Sequence, residues 1–208
     1  MTHEFVPDVV ISRLPWYLQI LNHMAKEGLH TVSSSMLADR MGSSAAQVRK
    51  DLSFFGEFGK QGTGYSIYLL IDQLQKILNL DQIWQVVIVG VGDLGRALLR
   101  YQGFANRGIE IAYVFDNHPN IVGTRVGSFT VRHVNSMVAD IRETGIKIAI
   151  LTVPSDAAQA TADCLVEAGI KAILSYAPVA LMLPKDIHVQ YIDPVLRLQR
   201  MMYYLGDN

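Results

Sequence analysis

The 208-residue chain has a single cysteine, Cys164, and no long apolar run. One cysteine forms neither an internal disulfide nor a thiolate metal cage, which excludes zinc fingers and iron–sulfur clusters. No apolar segment reaches the roughly 18 residues that a membrane span needs, and the N-terminus lacks the basic start and apolar stretch of a signal peptide. These absences predict a cytoplasmic protein with no membrane segment and no metal site.

An excess of charge of one sign is also lacking, because 18 Lys and Arg residues face 19 Asp and Glu residues. A globally basic surface is therefore excluded, and any binding to nucleic acid must depend on a local patch. One such patch lies between positions 40 and 60, where four basic residues outnumber two acidic ones. We expect phosphate contacts in this stretch, whose basic residues are Arg40, Arg49, Lys50 and Lys60.

Helical periodicity and turn signals organise the first 80 residues. An amphipathic helix is predicted over 7–27 with a kink at Pro15, and a short helix over 33–41 is stopped by Gly42. Residues 44–47 form a capping box that starts another helix. Two short helices across a glycine-containing turn are typical of a helix-turn-helix, which serves either DNA binding or protein interaction.

The second short helix has two distinct faces. Its spacing turns Val48, Leu52 and Phe55 toward the core and leaves small, amide, hydroxyl and cationic side chains exposed. Such side chains suit base edges and phosphates in a major groove. The glycine-rich segment 56–65 predicts a β-hairpin, which we interpret as a wing. The candidate DNA contacts are Ser44, Gln47, Arg49, Lys50, Ser53, Lys60 and Gly62.

Strand and helix patterns alternate beyond a polar junction at residues 81–82. A β-branched run at 86–89 leads into a glycine-rich turn and a helix pattern, and a second strand, 109–115, ends at Asp116. This alternation predicts an α/β Rossmann fold with a doubly wound, mostly parallel sheet. The other predicted elements are strands at 147–153, 171–174 and 188–192 and a helix at 156–167.

The turn after the first of these strands matches a dinucleotide-binding loop. Gly90 permits a tight turn, Gly92 lets the backbone approach a pyrophosphate, and Gly95 lets the helix pack on the sheet. Asp116 would accept hydrogen bonds from ribose hydroxyls and repel a 2′-phosphate, which favours NAD(H) over NADP. We expect Asp93 to cap the helix. The candidate cofactor-binding residues are Gly90, Val91, Gly92, Asp93, Leu94, Gly95, Asp116, Thr152, Val153, Pro154, Ala177 and Pro178.

Catalytic equipment is missing. The chain has no Tyr-x-x-x-Lys pair, and its six histidines show no metal-binding spacing. A dehydrogenase needs a positioned proton donor and a pocket for its second substrate. We therefore predict a dinucleotide-binding protein with a candidate DNA-binding module, and not an enzyme. The alternative is a small NAD-dependent oxidoreductase with an N-terminal interaction module.

The end of the chain carries an amphipathic pattern that needs a partner surface. Its apolar residues fall on one helical face and are Val195, Leu198, Met201, Met202 and Leu205. We predict three parts of the chain: a DNA-binding domain at 1–80, a dinucleotide-binding domain at 81–190 and a C-terminal helical segment at 191–208.

Segments 32–42, 47–60 and 90–95 resemble the Rex family of redox-sensing transcriptional repressors. The resemblance spans nearly the whole chain, and 47–60 is its most specific block. It implies a homodimer with N-terminal winged-helix DNA-binding domains, Rossmann domains that bind NAD(H), and a C-terminal helix swapped between subunits. It also implies that the dimer binds a palindromic double-stranded operator and is released by NADH.

Position by position, the resemblance implies that Arg49, Lys50 and Lys60 contact DNA and that residues 191–205 form the swapped element. Three positions depart from the residues common in the family: Met36 replaces a capping Glu, Gln61 a basic wing residue and Asp93 an Asn.

Overall fold

The structure is a computed structural model that describes residues 6–56, 58–60 and 64–206. The chain divides into two compact units, Met1–Gln82 and Ile83–Asn208. The main cluster of buried apolar side chains in the first unit is separate from those in the second.

The N-terminal unit is a winged helix. Its described helices are α1 (Asp8–Ile11), α2 (Leu14–Lys26), α3 (Ser34–Met41), α4 (Ala45–Ser53) and α5 (Ile67–Ile77). Its strands, β1 (Thr31–Val32), β2 (Gly59–Lys60) and β3 (Gly64–Ser66), form an antiparallel sheet in the order β1-β3-β2. Strands β2 and β3 are the two arms of the predicted hairpin. The turn between them, which includes Gln61 and Gly62, lies outside the described residues.

Local signals account for where these helices begin and end. The predicted kink at Pro15 is instead a break between α1 and α2, because Pro15 has no N–H to donate back to α1. The hydroxyl of Ser33 accepts a hydrogen bond from the amide of Met36 at 3.1 Å, and α3 ends at Gly42. The hydroxyl of Ser44 likewise accepts from the amide of Gln47 and starts α4.

Packing decides which face of α4 remains exposed. Helix α2 packs against α5, and α3 packs against α4. Val48 and Leu52 of α4 are buried in this core, together with Leu37 of α3 and Leu74 of α5. The opposite face of α4 is therefore available for a ligand.

The C-terminal unit contains a parallel sheet flanked by helices. Its strands are β4 (Trp84–Val89), β5 (Ile109–Asp116), β6 (Arg125–Val126), β7 (Phe129–Thr130), β8 (Arg132–His133), β9 (Ile148–Leu151), β10 (Ala172–Ser175) and β11 (His188–Tyr191). Six of them form the sheet in the order β11-β10-β9-β4-β5-β8, and β6 and β7 form a separate hairpin. The helices between strands are α6 (Asp93–Leu99), α7 (Met137–Thr144) and α8 (Ser155–Ala168).

The strand order creates a topological switch point between β4 and β9. From β4 the chain builds outward through β5 to β8, and it then returns to build the other half from β9 to β11. In open α/β sheets, ligands bind at the carboxyl ends of the strands at such a point. The glycine-rich turn at 90–95 follows β4 and therefore lies at this position. The predicted doubly wound, parallel Rossmann sheet is confirmed.

The chain ends in α9 (Pro194–Leu205), whose first turn is capped by Asp193 through a 2.8 Å hydrogen bond from the amide of Val195. No residue of α9 is buried. Its exposed apolar residues are Val195, Leu196, Leu198, Met201, Met202, Tyr203, Tyr204 and Leu205. Neither α9 nor any other helix in the described part of the chain is long and apolar enough to cross a bilayer.

Candidate functional site

The exposed face of α4 carries several of the residues predicted to contact DNA. Arg49, Lys50 and Ser53 are exposed, whereas Gln47 is half-buried. The guanidinium of Arg49 donates to the hydroxyl of Ser34 at 3.0 Å. Within the described ranges the ammonium of Lys50 has no ion-pair partner. The face is cationic, and Lys50 is free to bind an anion.

The other predicted contacts lie at the start of α4 and in the wing. Ser44 is exposed, and its hydroxyl caps α4. The second half of the predicted capping box, from the Gln47 side chain back to the Ser44 amide, is not made among the described residues, because the Gln47 amide donates to Asp51 instead. Lys60 lies in β2 opposite Gly64, and Gly62 is outside the described residues.

A buried carboxylate lies in the same helix as this exposed face. Asp51 is 0% exposed. Arg13 donates to its two oxygens at 2.6 and 2.7 Å, and the hydroxyl of Tyr17 donates at 2.8 Å. The side chain of Gln47 donates at 2.7 Å. Because Arg13 and Tyr17 lie at the start of α2, these bonds tie α4 to α2.

The hydrogen bonds keep Asp51 ionised. Burial alone would raise the pKa of the Asp51 carboxyl, but the bonds from Arg13, Tyr17 and Gln47 outweigh burial and hold the pKa below its usual value. Burial and the bond to Asp51 raise the pKa of Tyr17, and the same carboxylate raises the pKa of Arg13. Sequence reasoning missed this cluster. The available signal was an acid three residues after Val48, on the core side of the helix.

The glycine-rich turn joins β4 to α6. A Cβ on Gly90, which has φ of 100°, would lie 2.5 Å from the carbonyl oxygen of Thr152. A Cβ on Gly95 would collide with the carbonyl oxygen of Gly90. Gly92 differs, because it is exposed and nothing lies within 4 Å of the place its Cβ would take. The fold therefore requires glycine at 90 and 95, whereas at 92 it leaves room for a ligand to approach the backbone.

Asp116 holds this turn from the end of β5. It is 8% exposed. One of its oxygens accepts from the amide of Val91 at 2.6 Å, and the other accepts from the amide of His118 at 2.7 Å. A carboxylate oxygen has a second lone pair. A ribose hydroxyl that donates to Asp116 would therefore bind the second lone pair of one of these two oxygens.

The expectation that Asp93 caps α6 is wrong. The N-cap residue is Gly92, and Asp93 is the first helical residue. The amides that need an acceptor belong to the second and third helical residues, and an N-cap side chain reaches them. Asp93 is instead exposed in the first turn, where its charge interacts favourably with the helix dipole.

Two further turns lie at the same edge of the sheet. The hydroxyl of Thr152, which follows β9, donates to the carbonyl of Gly90 at 2.7 Å. Ala177, after β10, is buried, whereas Pro154 and Pro178 are exposed. Because β9 and β10 run parallel to β4, their ends meet the glycine-rich turn at one edge. No group of metal-ligating side chains gathers in the described part of the chain.

Together, the winged helix with its cationic helix face and the Rossmann fold with its switch-point turn define a class: DNA-binding regulators that carry a nucleotide-binding domain. A family described as "Putative DNA-binding protein N-terminus" matches residues 5–53, and one described as "CoA binding domain" matches residues 81–179. The redox-sensing transcriptional repressor Rex of Chloroflexus aggregans is 51% identical over 200 residues, or 96% of this chain and 94% of the relative. That of Desulforamulus reducens is 42% identical over 201 residues, or 97% and 96%.

Solved structures show a similarity that also extends over nearly the whole chain. A crystal structure of RSP in complex with β-NAD⁺ and operator DNA superposes with a TM-score of 0.92 at 37% identity and covers 98% of this chain and 94% of that one. RSP in complex with β-NADH gives 0.89 at 35% identity, covering 98% and 95%. The chain belongs to the Rex family of redox-sensing transcriptional repressors. It is a repressor and not an enzyme, so the oxidoreductase alternative does not hold.

Replacement of Asp51 by alanine should lower the free energy of unfolding of the N-terminal unit by about 3 kcal/mol, because Arg13 and Tyr17 lose their shared acceptor. Urea denaturation followed by circular dichroism measures the loss. The matched control is Asp72→Ala, which breaks an exposed pair with Lys76 and should cost less than about 1 kcal/mol. Equal losses in the two variants would contradict a structural role for the buried carboxylate.

The stabilisation by Asp51 should also depend on pH. Because the folded state lowers the pKa of Asp51, the contribution is complete above the unfolded pKa of about 3.9 and is lost as the pH falls through the folded pKa. The difference in melting temperature between the wild type and Asp51→Asn should therefore shrink on acidification from about pH 5 to pH 2. A difference that stays constant over this range would show that the charge of Asp51 contributes nothing.

Proposed function

We propose that this chain binds operator DNA through α4 and the β2–β3 wing and leaves the operator when NADH binds at the glycine-rich turn. The observation that carries the proposal is that one chain has two candidate binding surfaces. One is a cationic helix face tied to α2 through Asp51, and the other is an open backbone position, Gly92, at a switch point. The complexes of RSP with β-NAD⁺ and operator DNA and with β-NADH support both halves of the proposal.

On the DNA side, α4 enters the major groove. Lys50 and Arg49 supply cations for phosphates, and Ser53 and Gln47 supply the hydroxyl and amide groups that read base edges. The wing follows the phosphate backbone. The residues that complete this proposed contact set are Ser44, Lys60 and Gly62.

On the dinucleotide side, the backbone of residues 90–95 holds the pyrophosphate, which approaches at Gly92. Asp116 keeps the turn in place through the amide of Val91, and its remaining lone pairs accept from the ribose hydroxyls, which favours NAD(H). The turns at 152–154 and 177–178 line the nicotinamide end, because they follow the strands on the other side of the switch point.

Redox state is read at the nicotinamide ring, since NADH and NAD⁺ share every other contact. Oxidised nicotinamide is a cation, and its transfer from water into a closed apolar pocket is less favourable than that of the neutral reduced ring. NADH therefore stabilises a dimer arrangement in which the two α4 helices no longer match their half-sites. A switch from 1:99 to 99:1 requires a differential affinity of about 5.5 kcal/mol per dimer.

The helix α9 supplies the dimer contact. None of its residues is buried within one chain, and an isolated helix of its length is marginal in water. We assign residues 191–208 to a helix swapped between two copies, 1–80 to the DNA-binding domain and 81–190 to the dinucleotide-binding domain. A twofold dimer matches a palindromic operator whose half-sites lie about one or more helical turns apart. The compartment we assign is the cytoplasm.

Replacement of Lys50 by alanine should lower operator affinity about threefold to tenfold, because one phosphate or base contact per half-site is lost. Fluorescence anisotropy with a labelled duplex measures the change, and NADH affinity should stay the same. Lys76→Ala is the matched control, since Lys76 is an exposed lysine of the same unit on α5, paired with Asp72. If the two variants bind DNA equally well, α4 is not the reading helix.

Replacement of Gly92 by alanine should separate ligand binding from folding. Nothing lies within 4 Å of the new Cβ, so the melting temperature without ligand should stay near that of the wild type, while NADH affinity falls at least about tenfold because the Cβ blocks the pyrophosphate. Gly95→Ala is the opposite case. Because its Cβ would collide with the Gly90 carbonyl, the melting temperature of this variant without ligand should fall below that of the wild type. Wild-type NADH affinity in Gly92→Ala would place the pyrophosphate elsewhere.

The redox response is tested by titrating an operator complex with each dinucleotide. Each is added to saturation of a separately measured binding signal, and operator binding is followed by anisotropy. We expect NADH to detach the protein and NAD⁺ at equal occupancy to leave it bound. An operator complex that survives saturating NADH would refute the sensor mechanism but not the binding of DNA.

A further inference from the structure

The orientation of the Gln47 side chain is set by a residue hidden from solvent. The amide nitrogen Nε2 of Gln47 lies 2.7 Å from Oδ1 of Asp51. An ionised carboxylate only accepts hydrogen bonds, so the amino end of the glutamine amide must face Asp51. The two ends of this amide have nearly the same shape, and the carboxylate therefore decides that the carbonyl end points away.

Asp51 is itself fixed. Arg13 holds both of its oxygens, Tyr17 holds one of them, and the side chain is fully buried. The carboxylate is thus a stationary acceptor that cannot rotate to follow Gln47. The side-chain carbonyl oxygen of Gln47, Oε1, accepts no hydrogen bond from any side chain or amide among the described residues. Its lone pairs are therefore available to a ligand.

We infer that Asp51 is a positioning residue for base readout, which turns the carbonyl oxygen of Gln47 toward the DNA as an acceptor. The inference rests on the proposed placement of α4 in the major groove. There, adenine and cytosine present an exocyclic amine as a donor, whereas guanine and thymine present acceptors. The fixed carbonyl of Gln47 therefore selects adenine or cytosine on the strand that it faces, and α2 contributes to sequence specificity through Arg13 and Tyr17.

The test is a base-by-base affinity map. The probe is the duplex of highest affinity that the full chain recovers from a randomised library, with each position of one half-site replaced by the other three base pairs. At one position, adenine or cytosine on one strand should bind about tenfold tighter than guanine or thymine. Gln47→Ala should abolish this preference. Asp51→Asn, whose amide offers Gln47 either a donor or an acceptor, should weaken it at the same position only.

A destabilised control separates positioning from folding. Leu74→Ala empties a buried site on α5 in the same unit and leaves the hydrogen bonds of Asp51 intact, so it should keep the preference. The inference is overturned if Leu74→Ala loses the preference as Asp51→Asn does, if Asp51→Asn retains it, or if the Gln47-dependent base is guanine or thymine. A wild-type chain that recovers no duplex would instead refute the proposed function.

A second measurement uses the wild-type side chain at Asp51 and therefore stands even if Asp51→Asn does not fold. In ¹⁵N-labelled full chain, the two Nε2 protons of Gln47 are assigned by their disappearance in Gln47→Ala. We expect one of them to be shifted downfield and to exchange slowly with water, because it is bonded to a carboxylate. Chemical shifts and exchange rates equal to those of an exposed glutamine would overturn the inference.

Discussion

The buried carboxylate of Asp51 is the contact on which the proposed DNA-reading face of α4 depends. Helix α4 has 9 residues, which is too short to be stable alone, so its position must come from packing and side-chain hydrogen bonds. A buried carboxylate is tolerated only when it is paired and bonded, and Arg13 and Tyr17 meet that requirement. Asp51 also accepts a hydrogen bond from Gln47, so one carboxylate joins the start of α2 to a half-buried side chain of α4.

A second buried carboxylate, Asp116, has the comparable role in the Rossmann unit. It binds the amide of Val91 from the side of β5, and the hydroxyl of Thr152 binds the carbonyl of Gly90 from the side of β9. The glycine-rich turn is therefore held on both sides, while Gly92 between these anchors remains open. A loop that is ordered before the ligand arrives loses less conformational entropy on binding. In each unit, hydrogen bonds to a buried carboxylate thus hold the residues next to a candidate binding surface in place.

The sequence predicted the elements whose signals are local. Strands β4 and β5 and helices α3 and α4 were predictable because apolar periodicity, caps and glycine turns lie within each segment. Strands β1 and β8 were missed, since two-residue strands are defined only by their pairing with β3 and β5. Helix α7 was missed because it buries only Met137 and Ile141.

The candidate sites were predictable as residue types but not as contacts. Arg13, which pairs with Asp51, lies 38 positions away in the chain, and Val91, whose amide donates to Asp116, lies 25 positions away. No local pattern encodes these two long-range contacts.

The most direct test of a coupled sensor uses thermodynamic linkage, which requires operator DNA to weaken NADH binding by the same factor by which NADH weakens operator binding. The measurement is the NADH affinity of the full chain with and without saturating operator duplex. We expect the operator to lower NADH affinity by that factor and to change NAD⁺ affinity much less, and an NADH affinity that operator DNA leaves unchanged would contradict the coupling of the two sites.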